Sequence, residues 1–250
     1  MSWSRQRKTA YGLGTFFIVA CVIVFPAYYF FYTPPTCSDG VQNQGEQGID
    51  CGGPCRRLCP NAFMSPSISW TGVERVSPGL YNVAAYIINP NPTVGAYRVP
   101  YHAVLYDAKG EIIDQYYDVV SLHPHRNTLA FKGAVNTGAR IPTRVLFEFT
   151  ATPNWYAEND VLAALQVAKQ DYSEDDSGAA LVVTLHNSSP EPIGHTTVYA
   201  ILYDVDGNHL GFSKTVVDGV PANGSALAPF TWPESWNGKV ISKEILPVAE

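Results

Sequence analysis

Ala103-Val104-Leu105-Tyr106-Asp107-Ala108-Lys109-Gly110 and Ala200-Ile201-Leu202-Tyr203-Asp204-Val205-Asp206-Gly207 are two versions of one phrase, set 97 positions apart. In each, an apolar, aromatic run with strand character stops at an aspartate and turns on a glycine, which is the chemistry of a β-hairpin tip. The correspondence continues on both sides. Pro124 matches Pro221 and Val119 matches Val216. Upstream, Tyr86-Ile87-Ile88-Asn89-Pro90 lies opposite Val183-Thr184-Leu185-His186-Asn187 to within one residue. An eight-residue core with collinear flanks marks an internal duplication.

Working outward, each copy divides into short strands bounded by Gly, Pro and Asn. In the first copy, strands are expected over 68–75, 81–88, 98–107, 111–119, 128–135 and 143–150, with Asn89-Pro90-Asn91-Pro92 as a turn. The second repeats the series over 163–172, 179–187, 195–204, 208–217, 225–232 and 239–247. About six strands per hundred residues indicate an antiparallel sandwich, so the fold class is all-β with two tandem immunoglobulin-like β-sandwiches. The expected boundaries are 65–150 for the first sandwich, 151–161 for a linker and 162–250 for the second. Trp155 and Tyr156 in the linker are expected to wedge between the two.

The aliphatic-Leu-Tyr-Asp-x-x-Gly hairpin, present twice, resembles the FxLYD domain, an immunoglobulin-like module of microbial envelope proteins. The Ile88-Asn89-Pro90-Asn91-Pro92 turn is similar to that of late-embryogenesis-abundant type 2 sandwiches. The resemblance covers about 180 residues, and Ala103 and Ala200 stand where the family's name-giving Phe would be. It implies an extracytoplasmic sandwich without catalytic machinery and transfers no site residue.

Upstream of the duplication, Tyr11 to Tyr32 reads YGLGTFFIVACVIVFPAYYFFY, 22 residues without a charge. As a helix it would span about 33 Å, enough for a hydrocarbon core of about 30 Å. Arg5, Arg7 and Lys8 precede it, so residues 1–10 form a basic tail expected in the cytoplasm, 11–32 a transmembrane helix, and the rest an exterior domain in the plasma or inner membrane. Tyr28, Tyr29 and Tyr32 suit the membrane interface. The rival readings are a cleaved signal peptide and lipidation of Cys21. The long run ending in bulky aromatics opposes the first. Its continuation well past Cys21 opposes the second. The remaining chain holds 13 basic and 22 acidic residues, a balance that offers nucleic acid no basic footprint.

Residues 33–64 form a Cys-rich module and linker. Cys37, Cys51, Cys55 and Cys59 follow C-x13-C-x3-C-x3-C on the oxidising side of that topology. Two disulfides are therefore expected, with three possible connectivities, in preference to zinc. The interior pattern C-x-D-G-x-x-N-x-x-E-x-G-x-D-C-G-G-x-C resembles a small Cys-rich module of secreted and surface proteins. Asp39, Asn43, Glu46 and Asp50 are hard oxygen donors and form a candidate calcium set. The alternative is that they are turn formers in a disulfide knot. No other cofactor is expected.

The chain has no metalloprotease spacing, nucleophile elbow or phosphate-binding loop, and it reads as a non-enzyme. His123-Pro124-His125 reads as a loop, and Asp175/Asp176 as a solvated tip. Asn187-Ser188-Ser189 and Asn223-Gly224-Ser225 are glycosylation sequons. Trp232-Pro233-Glu234-Ser235-Trp236 has no counterpart in the first copy, so Trp232 and Trp236 are a candidate binding surface, set against ordinary core packing. Together these features predict a membrane-anchored, non-catalytic scaffold or interaction protein of the cell envelope with a protein partner. The alternative is a calcium- or glycan-binding surface protein.

Overall fold

A computed structural model describes residues 3–31, 34–59, 63–124, 126–157 and 162–249. The chain divides into two compact units, Met1–Cys55 and Arg56–Glu250.

The first unit opens with helix α1 (Trp3–Phe31), which carries Pro26 inside it. Phe16, Phe17, Ile18, Val22, Ile23, Val24 and Phe25 are each at least 63% exposed. Successive helical positions turn by about 100°, so these side chains present apolar surface all round the axis. The side chains described without a break run from 11 to 26, and among the described residues no helix is long and apolar enough to cross a membrane. Residues 34–55 form turns with one antiparallel bridge, Gly48 to Cys51, cross-linked by a Cys37–Cys55 disulfide.

In the second unit, every strand pairing among the described residues is antiparallel. Its strands are β1 (Ser67–Ser77), β2 (Leu80–Ile88), β3 (Val94–Tyr106), β4 (Ile112–Leu122), β5 (Thr128–Asn136), β6 (Arg144–Phe149), β7 (Trp155–Ala157), β8 (Leu165–Asp175), β9 (Gly178–Asn187), β10 (Thr196–Tyr203), β11 (His209–Val217), β12 (Ser225–Trp232) and β13 (Ser242–Ala249). The first copy pairs β1-β2-β5 and β4-β3-β6, with β7 added to β3; the second pairs β8-β9-β12 and β11-β10-β13. Strand for strand the order is the same, so the duplication read in the sequence is a duplication of topology. The two sheets of the first copy close over Val83, Ala85, Ile87, Tyr101, Ala103 and Leu105, and those of the second over Leu181, Val183, Leu185, Val198, Ala200 and Leu202. Side chains alternate across each strand, which is why every second residue of β2 and β9 enters the core.

The repeated phrase owes its form to the hairpin tip. Asp107 Oδ1 accepts the N–H groups of Lys109 and Glu111, both at 2.9 Å. Asp204 Oδ1 accepts those of Asp206 and Asn208 at 2.9 and 2.8 Å. Gly110 and Gly207 sit at φ +79° and +80°, which a side chain would strain. Leu105 and Leu202 go to the two cores, each with no exposed surface.

Asn89 and Asn187 are a second shared device, at an offset of 98. Asn89 Nδ2 donates to the carbonyls of Val94 and His123, and Asn187 Nδ2 to those of Glu191, Val220 and Pro221. In both copies the amide oxygen accepts the N–H two residues on. Each asparagine thereby ties the corner after its own strand to the loop leaving the hairpin.

The expected linker is partly strand. Trp155 does not wedge between the copies: it pairs through β7 with β3 and is buried at 2% exposure in the first core. Residues 158–161 lie outside the described set.

Candidate functional site

The two sandwiches meet through a third apolar cluster. Ala84, Tyr86, Leu129, Ile201, Phe212 and Leu246 are buried there, with Trp70, Phe131, Tyr199 and Tyr203 packed against them. These come from the outward faces of β1-β2-β5 and β11-β10-β13, so each copy contributes a different sheet. Trp70 stacks on His209 at 4.2 Å between centroids and lies 5.9 Å from Phe212, whose ring meets Phe131 edge-on at 6.2 Å. Glu244 clamps the seam by accepting the hydroxyls of Tyr86 at 2.7 Å and Tyr203 at 2.8 Å. Arg126 crosses it to donate to the carbonyl of Leu162 at 2.8 Å. Aromatic pairs in such geometry add about 0.5–1.5 kcal/mol each beyond their area.

The seam also encloses titratable groups. Glu74 accepts the Phe212 N–H at 3.0 Å. Burial pushes its carboxyl from the ordinary 4.5 up to about 8, with the charge of Glu234 reinforcing that shift and the Phe212 N–H opposing it. Burial pushes the His209 imidazole below its ordinary 6.5. A raised carboxyl stabilises the docked form fully below its unfolded value of 4.5 and loses that contribution as pH climbs toward 8. His209 does the opposite, contributing above 6.5 and losing its contribution as pH falls. Of these two groups only Glu74 titrates above pH 6.5, so its contribution should lower the melting temperature between pH 6.5 and 8. Glu74 keeps some solvent-exposed surface, which screens the effect to about 1–3 kcal/mol. Glu74→Gln should flatten this limb; thermal melts showing the same slope in the variant would assign the dependence elsewhere.

In the Cys-rich segment, Cys37 pairs with Cys55, and Cys51 and Cys59 are disulfide-bonded as well. Cys21 is the free cysteine among the described residues. The four candidate calcium ligands are neighbours, but each carboxylate is already engaged. Asp39 accepts the Asn43 side-chain amide and the N–H groups of Thr36 and Val41, which hold its carboxyl below the usual range. Asp50 accepts the Gly40 N–H, and Glu46 Oε2 accepts the N–H groups of Asn43 and Asp50. A cation would have to compete with these amides. Asn43 Oδ1 is buried without a hydrogen-bond partner. Cys37, Glu46 and Cys55 also converge, with Glu46 Oε1 3.0 Å from Cys55 Sγ. Sulfurs joined in a disulfide offer neither a thiolate to a metal nor a proton to the carboxylate.

Trp232 and Trp236 belong to packing. Trp232 is 3% exposed in the second core, stacked on Phe230, with Trp236 half-buried across its edge. The inward phase of β12 takes Ala228, Phe230 and Trp232 together, so the candidate pair does not form an outward surface. Of the sequons, Asn187 has no exposed surface, whereas Asn223 is exposed in a turn. His123 is buried and His125 lies outside the described residues. The seam was missed by sequence reasoning. Its signal was available in the apolar residues Trp70, Ala84, Tyr86 and Phe212, which fall on the strand phase opposite to the core.

No known protein family and no curated protein matches the chain. Among solved structures, it is similar to a protein described as a β-galactosidase from Bacteroides fragilis, at 12% identity and a TM-score of 0.20 over 70% of this chain and 33% of that one. A β-glucuronidase of glycoside hydrolase family 2 matches at 11% and 0.22 over 88% and 29%. The N-terminal tandem CBM22 domain of a Paenibacillus barcinonensis protein matches at 8% and 0.14 over 74% and 86%. The chain spans about a third of the length of the first two. Likeness at these scores carries no argument about fold or ligand.

Proposed function

We propose that this protein is a single-pass, membrane-anchored envelope protein whose paired sandwiches, immunoglobulin-like in kind, act as a non-catalytic interaction platform outside the cytoplasm. The observation that carries the reading is the apolar circumference of α1, with seven described side chains from Phe16 to Phe25 at least 63% exposed. A helix apolar all round needs either a protein core or lipid about it. The uncharged sequence from Tyr11 to Tyr32 and the 29-residue length of α1, about 43 Å, suit lipid. The oxidised cysteines suit an exterior compartment. The resemblance to FxLYD modules points the same way. The non-catalytic part rests on how the acidic groups are used, with Asp107 and Asp204 committed to hairpin tips and Glu244 to the seam.

The test is topology. In spheroplasts of a bacterial expression host, protease added outside should trim the β-rich portion. A membrane-impermeant maleimide should label Cys37, Cys51, Cys55 and Cys59 only after reduction. Protection of the β-rich portion, or labelling of those four without reductant, would overturn the proposal.

A further inference from the structure

We infer that the lateral cleft between the two sandwiches is a docking site for an extended acidic peptide segment of a protein partner. The cleft has a volume of about 530 Å³, within the range of formed ligand sites. It is walled by residues 118–121 of β4, residues 128–131 of β5 and the outer face of the second sandwich at Tyr199, Lys214 and Val248. Consecutive residues of a strand line a cavity only where it meets the strand edge-on, because side chains alternate between faces. Both strands are edges among the described residues: β4 pairs with β3 alone and β5 with β2 alone. An edge offers a row of backbone donors and acceptors to an incoming strand.

Charge selects the occupant. Arg98 lines the cleft from the first sandwich and Lys214 from the second. Both are exposed, and neither has an ion pair among the described residues. The carboxylate in the lining, Asp118, is held by Lys132 at 3.6 Å and by the Val119 N–H. The cleft is thus a positive locus on an exterior domain that is negative overall. Tyr97 and Tyr199 add aromatic surface beside the two cations, and Tyr and Arg are the side chains that dominate protein recognition.

Arg98 is aimed by strain. It stands at φ +50°, a region that non-glycine residues seldom adopt, in a bulge where Ala96 to Val99 on β3 face only Leu122 to Val120 on β4. Its N–H is taken by Ser121 Oγ at 3.2 Å. In the second sandwich the same step takes three residues on both strands, Ile193 to Thr196 against Val217 to Val220, and His195 at the matching position has no left-handed φ. The bulge is therefore particular to the first copy and not a requirement of the duplicated fold. Bulges that redirect a side chain cluster at functional sites.

The inference deepens the interaction-platform reading and takes from it only the kind of partner. Its test uses the full chain in detergent and so does not depend on topology. The probe is an acetylated hexapeptide alternating aspartate and valine, titrated by calorimetry. Saturable binding is expected, weakening several-fold between 50 and 300 mM salt. Arg98→Gly and Lys214→Gln should each weaken it about tenfold. Glycine relieves the left-handed backbone, so Arg98→Gly should melt no lower than the parent, and its loss of binding would not reflect unfolding. A proline-interrupted peptide, unable to add a strand, should not bind. The inference is overturned if no saturable heat appears at millimolar peptide, if the proline peptide binds equally, or if neither variant changes affinity. It is equally overturned if an acidic oligosaccharide such as oligogalacturonate binds where the peptide does not.

Discussion

Phe212→Ala should lower the stability of the β-rich unit by about 3–5 kcal/mol and separate its melting into two transitions. Phe212 is 1% exposed at the centre of the seam, in contact with the rings of Trp70, Phe131 and His209. Truncation leaves a cavity bordered by the rings of Trp70, Phe131 and His209. The two sandwich cores do not include Phe212, so each should persist while the coupling between them fails. Differential scanning calorimetry reads both quantities. Val216→Ala, on the same strand but 48% exposed, should change stability by no more than about 0.5 kcal/mol. A single cooperative transition shifted as little as that control would mean that the seam contributes nothing to docking.

The second large effect is expected at Asn187. Its side chain has no exposed surface, donates to three backbone carbonyls and accepts the Ser189 N–H. Asn187→Ala leaves these buried groups without partners, a loss of about 2–4 kcal/mol. Asn187→Asp should be at least as damaging, because an ionised carboxylate would face carbonyl oxygens with nothing to donate. Chemical denaturation of both variants reads the loss. Asn89→Ala should be comparably severe, since Asn89 makes the matching bonds in the first copy. A loss below about 1 kcal/mol at both positions would show that water replaces the amide.

Much of the fold is legible in the sequence because its signals are local. A strand with one face buried writes a period of two into the chain, and a tip that needs a left-handed residue writes a glycine. Twelve expected strands therefore reappear as β1 to β6 and β8 to β13, most with ends within two residues. β7 escaped because three residues are too short to show a period. The cysteines announced oxidation but not connectivity, which depends on loop geometry that spacing does not encode. The carboxylates of the candidate calcium set are taken up by backbone and side-chain amides, and spacing could not show this because amide acceptors and cation ligands are the same residue types. Trp232 was read from the novelty of its segment, whereas its strand phase places it inside.

The sequence by itself determined the duplicated β architecture, the hairpin chemistry of Asp107 and Asp204, and a charge-free segment ahead of them. Only the tertiary structure decided which outer faces meet. Trp70, Phe212 and Leu246 in the seam correspond to Lys169, Gln115 and Glu148 on the faces left open. The polar side chains at those three positions leave these faces without the apolar surface that the seam buries. That choice is invisible along the chain because it compares residues about a hundred positions apart, and it acquires meaning only when two sheets are laid against each other and water is expelled between them.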